Sequence, residues 1–169
     1  MKGKMLMKRL TVLAVIMVLL VAGGACADKD GAPVFRGSAD VVKVSPAPGA
    51  VSAAPGQRID FNINLDIAKK WHIYAHGDSN FIGVDLTPDS GPALDNFKLE
   101  FPHGHQGEFF GEKVMMIEGK EAIKASGVIP ADLAKGEHIM KFSVTAQACD
   151  DKACLAPAEI PVSVKLTVK

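Results

Sequence analysis

Along residues 58–67, "RIDFNINLDI", apolar and polar positions alternate without a break: Ile59, Phe61, Ile63, Leu65 and Ile67 against Asp60, Asn62, Asn64 and Asp66. A period of two marks a strand with one face on a core and the other on water. The same rhythm, in shorter pieces, predicts strands in "KWHIYA", "IGVDLTP", "NFKLEF", "EKVMMIEG", "EAIKASGVI", "EHIMKFSVTAQA" and "EIPVSVKLTVK". Gly, Pro and Asp punctuate them at spacings of roughly ten residues. Apart from the N-terminal leader, no segment sustains a 3.6-residue period, and "PADLAKG" offers at most one helical turn. Short strands with regular turn signals in a chain of this size predict an all-β, immunoglobulin-like β-sandwich.

The leader is of another kind. Lys2, Lys4, Lys8 and Arg9 precede an apolar run from Leu10 to Val21, broken only by Thr11, and "AGGACA" then supplies small residues. This predicts a signal peptide over residues 1–27, short for a transmembrane span, with cleavage after Ala27 through the A-x-A pattern of Ala25 and Ala27. Lipidation at Cys26 would call for a bulky aliphatic residue three positions upstream, where Gly23 stands. The expectation is therefore a soluble periplasmic product beginning at Asp28 rather than a lipoprotein. Residues 28–57, with the Pro/Gly/Ala-rich "VSPAPGAVSAAPGQ", are expected to form a flexible lead and a first edge strand, and residues 58–169 the sandwich domain.

Charge narrows the partners. The chain balances 19 basic against 19 acidic residues, and loss of a leader holding four basic and no acidic ones leaves a net charge of −4. Such a surface courts neither nucleic acid nor an anionic membrane. The 142 residues left after the leader are enough to bury a core without disulfides.

That makes "QACDDKACLAPAEIP", residues 147–161, the informative stretch, because Cys149 and Cys154 are the cysteines outside the leader. Met140, Phe142, Val144, Ala146 and Ala148 hold the apolar parity of the preceding strand, so continued strand geometry takes Cys149 off the core face. A bridge closing a loop of about six residues restrains the unfolded chain by about 2 kcal/mol, against about 4 for sixty residues. It is a poor staple, yet well placed to open and close by thiol–disulfide exchange. The spacing, which is not the C-x-x-C of thioredoxin-like proteins, admits reversible redox chemistry, a fixed local bridge or metal ligation, with redox chemistry favoured. Cys149 directly follows a strand, which should shield its sulfur, and lies next to Asp150 and Asp151. Cys154 follows the polar "DDKA" with Lys152 nearby, so greater access and a larger thiolate fraction favour Cys154 as the attacking sulfur.

Three stretches, in order, resemble the N-terminal periplasmic domain family of the thiol:disulfide interchange protein DsbD: "AKKWHIYA", "GEFFGEKV" and "TAQACDDKACLAPAEIPVSV". Together they lie within residues 68–166. The resemblance implies an immunoglobulin-like sandwich, here residues 58–169, with the cysteine pair at a strand end beneath a capping loop. It implies that Cys154 enters mixed disulfides and that Cys149 resolves them. The capping loop maps to Glu108, Phe109, Phe110 and Gly111, with Phe109 as the cap, and His72 and Tyr74 fall on aromatic positions around the site. The family passes reducing equivalents from a membrane-embedded donor to disulfides of periplasmic proteins and needs no bound cofactor. The expected activity is therefore that of a protein-disulfide reductase or its electron-carrier domain. The 169 residues include no multi-span or thioredoxin-like domain, so a separate membrane-embedded or thioredoxin-like donor is expected. The sequence departs from the family in placing four residues between the cysteines where some members have five. It also has Ala156 where a second proline or similar residue often stands, and His72 where the ring cannot titrate.

Two other readings stay open at this stage. The domain could be a non-catalytic module that docks a thioredoxin-like or cytochrome-maturation partner while its disulfide stays fixed. Alternatively, "HGHQ" with His76, Met115 and Met116 could hold copper or zinc. Against the second, His103 and His105 lack a Cys motif at ligand spacing, and Met115 and Met116 should face opposite sides of one strand. Trp71 and Ile73 should likewise oppose His72 and Tyr74, one pair in the core and the other nearer the surface.

Overall fold

The computed structural model describes residues 34–77 and 81–169; the expected signal peptide, its cleavage site and Cys26 lie outside the described residues. A compact unit runs from Phe35 to Lys169. It opens with a 3-10 turn, Ser38–Asp40, followed by strands β1 (Val42–Pro46), β2 (Val51–Ala53), β3 (Arg58–Ile67), β4 (His72–Tyr74), β5 (Asp85–Ser90) and β6 (Asp95–Glu100). Then come β7 (His105–Phe109), β8 (Glu112–Ile117), β9 (Lys120–Val128), β10 (Gly136–Ala146), β11 (Ala148–Cys149) and β12 (Ala158–Val168).

The strands form three four-stranded sheets, ordered β1-β3-β9-β6, β2-β12-β10-β5 and β11-β4-β8-β7. The first two make the sandwich. The alternation in β3 is realised in full, with Ile59, Phe61, Ile63, Leu65 and Ile67 all buried. Across the interior, β10 contributes Met140, Phe142, Val144 and Ala146, and its antiparallel partner β12 contributes Val162, Val164, Leu166 and Val168. Burying each of the larger side chains stabilises the fold by about 1.5–3 kcal/mol. Phe61 and Phe142 meet across the two sheets with ring centroids 5.8 Å apart.

The sandwich begins upstream of residue 58, where the sequence leads one to start it. β1 pairs antiparallel with β3 from Val42↔Ile67 to Pro46↔Ile63, and β2 adds in parallel to β12. Val41 and Val42 are buried in the core. Residues 28–57, expected to hold a first edge strand, thus supply two, one at the edge of each sandwich sheet, and the prolines fall at strand ends and in the connections, where they do not prevent pairing.

The third sheet positions the site. After Ala146 the chain leaves the β10–β12 ladder, passes through Gln147 and joins β4 as β11, with Ala148 opposite Ile73 and Cys149 opposite His72. β4 pairs in turn with β8 through Ile73↔Ile117 and Tyr74↔Met116. Ala148, Ile73 and Ile117 point into the main core, while Cys149, Tyr74 and Met116 belong to a second buried cluster with Phe109 and Val114. This corrects the parity argument for β4. His72, Ile73 and Tyr74 are all buried, whereas Trp71 is half-buried and packs edge-on against Phe35 at 5.5 Å.

Candidate functional site

Cys149 and Cys154 form a disulfide, with Cα atoms 4.0 Å apart. They face each other across a small antiparallel hairpin whose rungs are Leu155 N–H to Ala148 C=O at 2.8 Å and Asp150 N–H to Ala153 C=O at 2.9 Å. The cysteines therefore occupy the non-hydrogen-bonded site between the rungs, where opposed residues come closest. The loop is shaped by Asp150, whose Oδ1 accepts the N–H groups of Lys152 at 2.9 Å and Ala153 at 2.8 Å. These two bonds hold the Asp150 carboxyl below its ordinary pKa. Sequence reasoning treats Asp150 as a charge opposing a thiolate; in the fold it is the residue that closes the turn.

The two sulfurs differ in access. Cys149 is completely buried, beyond the partial shielding expected from its strand, while Cys154 is exposed. Cover over Cys149 comes from two places. Phe109, 5% exposed, sits in the second cluster with its ring 5.6 Å from His72 and 6.1 Å from Tyr74. Phe81 stacks on Tyr74 at 4.3 Å and meets Phe109 edge-on at 5.5 Å. The backbone beside Phe81 reaches β4 through Gly83: an added Cβ there would lie 2.4 Å from the Ala75 carbonyl oxygen, so only glycine permits the approach. Phe81 is absent from the site residues expected from sequence, and the Phe-x-Gly spacing just before β5 is its one faint signal.

The expected capping loop is narrower than the sequence suggests. Glu108 and Phe109 are strand residues of β7, and the turn consists of Phe110 and Gly111, both with positive φ, 51° and 85°. Glu108 is exposed. Phe110 is 77% exposed and leans on Phe109 at 4.4 Å. A bulky residue with φ in this region costs roughly 1–2 kcal/mol, so the hairpin tip presents an aromatic ring to solvent at an energetic cost. Gly107 leaves room for the Met116 thioether, whose sulfur would lie 2.5 Å from a Cβ at that position and would have to shift for any larger residue.

Ser38 and His72 are buried polar side chains, and both adjoin the cysteine hairpin. His72 lies directly across from Cys149, with Nε2 3.4 Å from the Tyr74 hydroxyl. Burial lowers its pKa below 6.5, opposed by the negative charges of Glu118, Asp151 and Asp150, with His105 adding to the lowering. Ser38 Oγ accepts the Ala148 N–H at 2.9 Å and donates to the Ala156 carbonyl at 2.8 Å, so it touches both arms of the hairpin.

The histidines considered as metal ligands are not brought together. His103 and His105 are exposed, with His105 3.9 Å from Glu118, while His76 stacks on Phe101 at 4.0 Å. Met115 and Met116 do face opposite sides of β8, one exposed and one buried. Among the described residues no three of His, Cys, Asp and Glu converge on one point.

The family follows from comparison with known proteins. Residues 38–165 match the family described as "Thiol:disulfide interchange protein DsbD, N-terminal". The chain belongs to the DsbD N-terminal family. The N-terminal periplasmic domain of ScsB from Proteus mirabilis superposes with a TM-score of 0.51 at 8% identity, covering 75% of this chain and 45% of that one. The DsbD N-terminal domain of Neisseria meningitidis in its reduced form gives 0.42 at 16% identity, over 68% of this chain and 80% of the other. This chain thus spans less than half the length of the ScsB structure. No curated protein matches it in sequence. DsbD N-terminal membership and the three sheets agree on an all-β, immunoglobulin-like fold that carries a Cys149–Cys154 disulfide.

Two outcomes follow from this geometry. Phe109→Ala should lower stability by about 3 kcal/mol, and in the reduced protein it should raise the alkylation rate of Cys149, read with Cys154→Ser, by about tenfold or more. An unchanged rate would make Phe109 a packing residue that does not shield the sulfur. For His72 the sign is set by burial: below pH 6.5 the unfolded chain takes up a proton that the buried ring resists, so stability falls as pH drops and levels off below the folded pKa. His72→Phe should flatten that segment of a denaturation profile measured against pH; a profile that keeps its slope would assign the effect to other groups.

Proposed function

We propose that this domain carries reducing equivalents by thiol–disulfide exchange in the periplasm, with Cys154 as the sulfur that enters mixed disulfides and Cys149 as the one that resolves them. The reading is supported by family membership and by the likeness in fold to a domain of ScsB described as periplasmic. The observation that carries it is the asymmetry of access: Cys154 is exposed and Cys149 is completely buried. An incoming protein can reach one sulfur and not the other.

The chemistry balances as follows. In the reduced domain the Cys154 thiolate attacks one sulfur of a partner disulfide, and the other partner sulfur leaves as a thiolate that takes up a proton. Cys149 then loses its proton and attacks the Cys154 sulfur, which closes the Cys149–Cys154 bond and releases the second partner thiolate. The domain gives up two electrons and the partner gains them. A dithiol donor, membrane-embedded or thioredoxin-like, reverses the sequence at the same exposed sulfur. No cofactor enters either half-reaction. Phe109 and Phe81 serve the buried half of the pair, since a covered Cys149 cannot be oxidised by a stray small molecule before a partner has engaged Cys154. The exported location rests on the leader of residues 1–27.

Trapping separates the two cysteines. Cys149→Ser should accumulate mixed disulfides with periplasmic thiol proteins, resolved on non-reducing gels and identified by mass spectrometry, and Cys154→Ser should accumulate few. Adducts confined to Cys154→Ser would reverse the roles. Adducts with neither variant would leave the bridge a fixed structural one.

A further inference from the structure

We infer that Ser38 is a positioning residue for the redox pair: it pins the two arms of the cysteine hairpin together so that Cys149 and Cys154 stay opposed when the disulfide is open. The inference rests on the thiol–disulfide reading above and extends it to a residue remote in sequence.

The geometry is specific. Ser38 is completely buried. Its hydroxyl accepts from the N–H of Ala148, the residue before Cys149, at 2.9 Å, and donates to the carbonyl of Ala156, two residues after Cys154, at 2.8 Å. Its own backbone N–H donates to the same Ala156 carbonyl at 3.0 Å. One side chain therefore ties together the two strands that the disulfide also joins, one rung further from the loop. With the disulfide closed this pin is redundant. With it open, the ties between the arms within the hairpin are its two rungs, the Asp150 carboxylate bonds to the Lys152 and Ala153 N–H groups at the loop end, the 3.3 Å contact of Gln147 Nε2 with the Leu155 carbonyl, and Ser38, which holds the end away from the loop.

Ser38 is itself held. Asp40 Oδ2 accepts the N–H groups of Arg36 at 2.8 Å and Gly37 at 3.4 Å, and Val41 N–H closes on the Ser38 carbonyl at 3.1 Å. The 3-10 turn thus aims the hydroxyl before the chain enters β1. A buried hydroxyl with both partners made is common in cores. A buried hydroxyl that bridges the flanks of an exchangeable disulfide has a consequence for chemistry. Closing a disulfide depends on how often the second thiol meets the first, so holding the arms raises the effective concentration of Cys149 at Cys154.

The test compares the full chain with Ser38→Ala and with Asp40→Ala, which keeps the hydroxyl but releases the turn. Two quantities are read: the equilibrium constant for disulfide formation against dithiothreitol, and the rate at which a glutathione adduct on Cys154 is released by Cys149. Loss of the pin should lower the equilibrium constant by about three- to tenfold, from hydrogen bonds of ordinary net strength; a tenfold loss corresponds to a potential about 30 mV less reducing. It should also slow glutathione release several-fold. Asp40→Ala should move both quantities in the same direction by less. A merely structural role predicts equal destabilisation of oxidised and reduced forms, with both quantities unchanged, and that result overturns the inference. Should Ser38→Ala fail to fold, Asp40→Ala decides by the same two readings. The comparison is between variants against dithiothreitol, so it stands whether or not any partner protein is ever trapped.

Discussion

The site depends on a sheet that is covered on both faces. β11, β4 and β8 are short, and each presents one residue to the main core and its neighbour to the second cluster: Ala148 and Cys149, Ile73 and Tyr74, Ile117 and Met116. The inner face is fixed by the sandwich. The outer face cannot be left wet without exposing Tyr74 and Met116, so Phe109 and Phe81 must close over it. Cys149 is buried as a by-product of that closure. The chemical asymmetry between the two sulfurs is therefore a packing result before it is a redox one.

The same arrangement explains why polar burial is concentrated there. A disulfide hairpin that leaves the β10–β12 ladder carries backbone groups without sheet partners. Ser38 takes the Ala148 N–H and Asp150 takes those of Lys152 and Ala153. His72 is accommodated opposite Cys149 beside the Tyr74 hydroxyl, with a pKa lowered by the surroundings that exclude water. Ser38 and Asp150 thus have structural duties at the hairpin, and His72 adds a titratable ring beside it.

How much of this could be read in the chain varies with how local the cause is. β3 was legible because its alternation is strict over ten residues, and β10 and β12 followed the same logic. The cysteine pair and the aromatic hairpin were legible as motifs. β7 was not, because His105, Gly107 and Phe109 share a face with no apolar run, and the strand exists only by pairing with β8. Parity failed for β4 since alternation assumes one wet face. Ser38 had no signal at all: its partner Ala148 is 110 residues away, and nothing in "FRGSADVV" distinguishes a buried pin from a surface serine.

The central claim is that the Cys149–Cys154 bond is made to open. Its reduction potential, measured by equilibrating the full chain in glutathione and dithiothreitol buffers and counting free thiols by alkylation and mass spectrometry, tests this most directly. Structural disulfides of exported proteins lie below about −300 mV. An exchangeable pair must lie above that value, whereas a potential below it would contradict the shuttle and leave the bridge a fixed element of the hairpin.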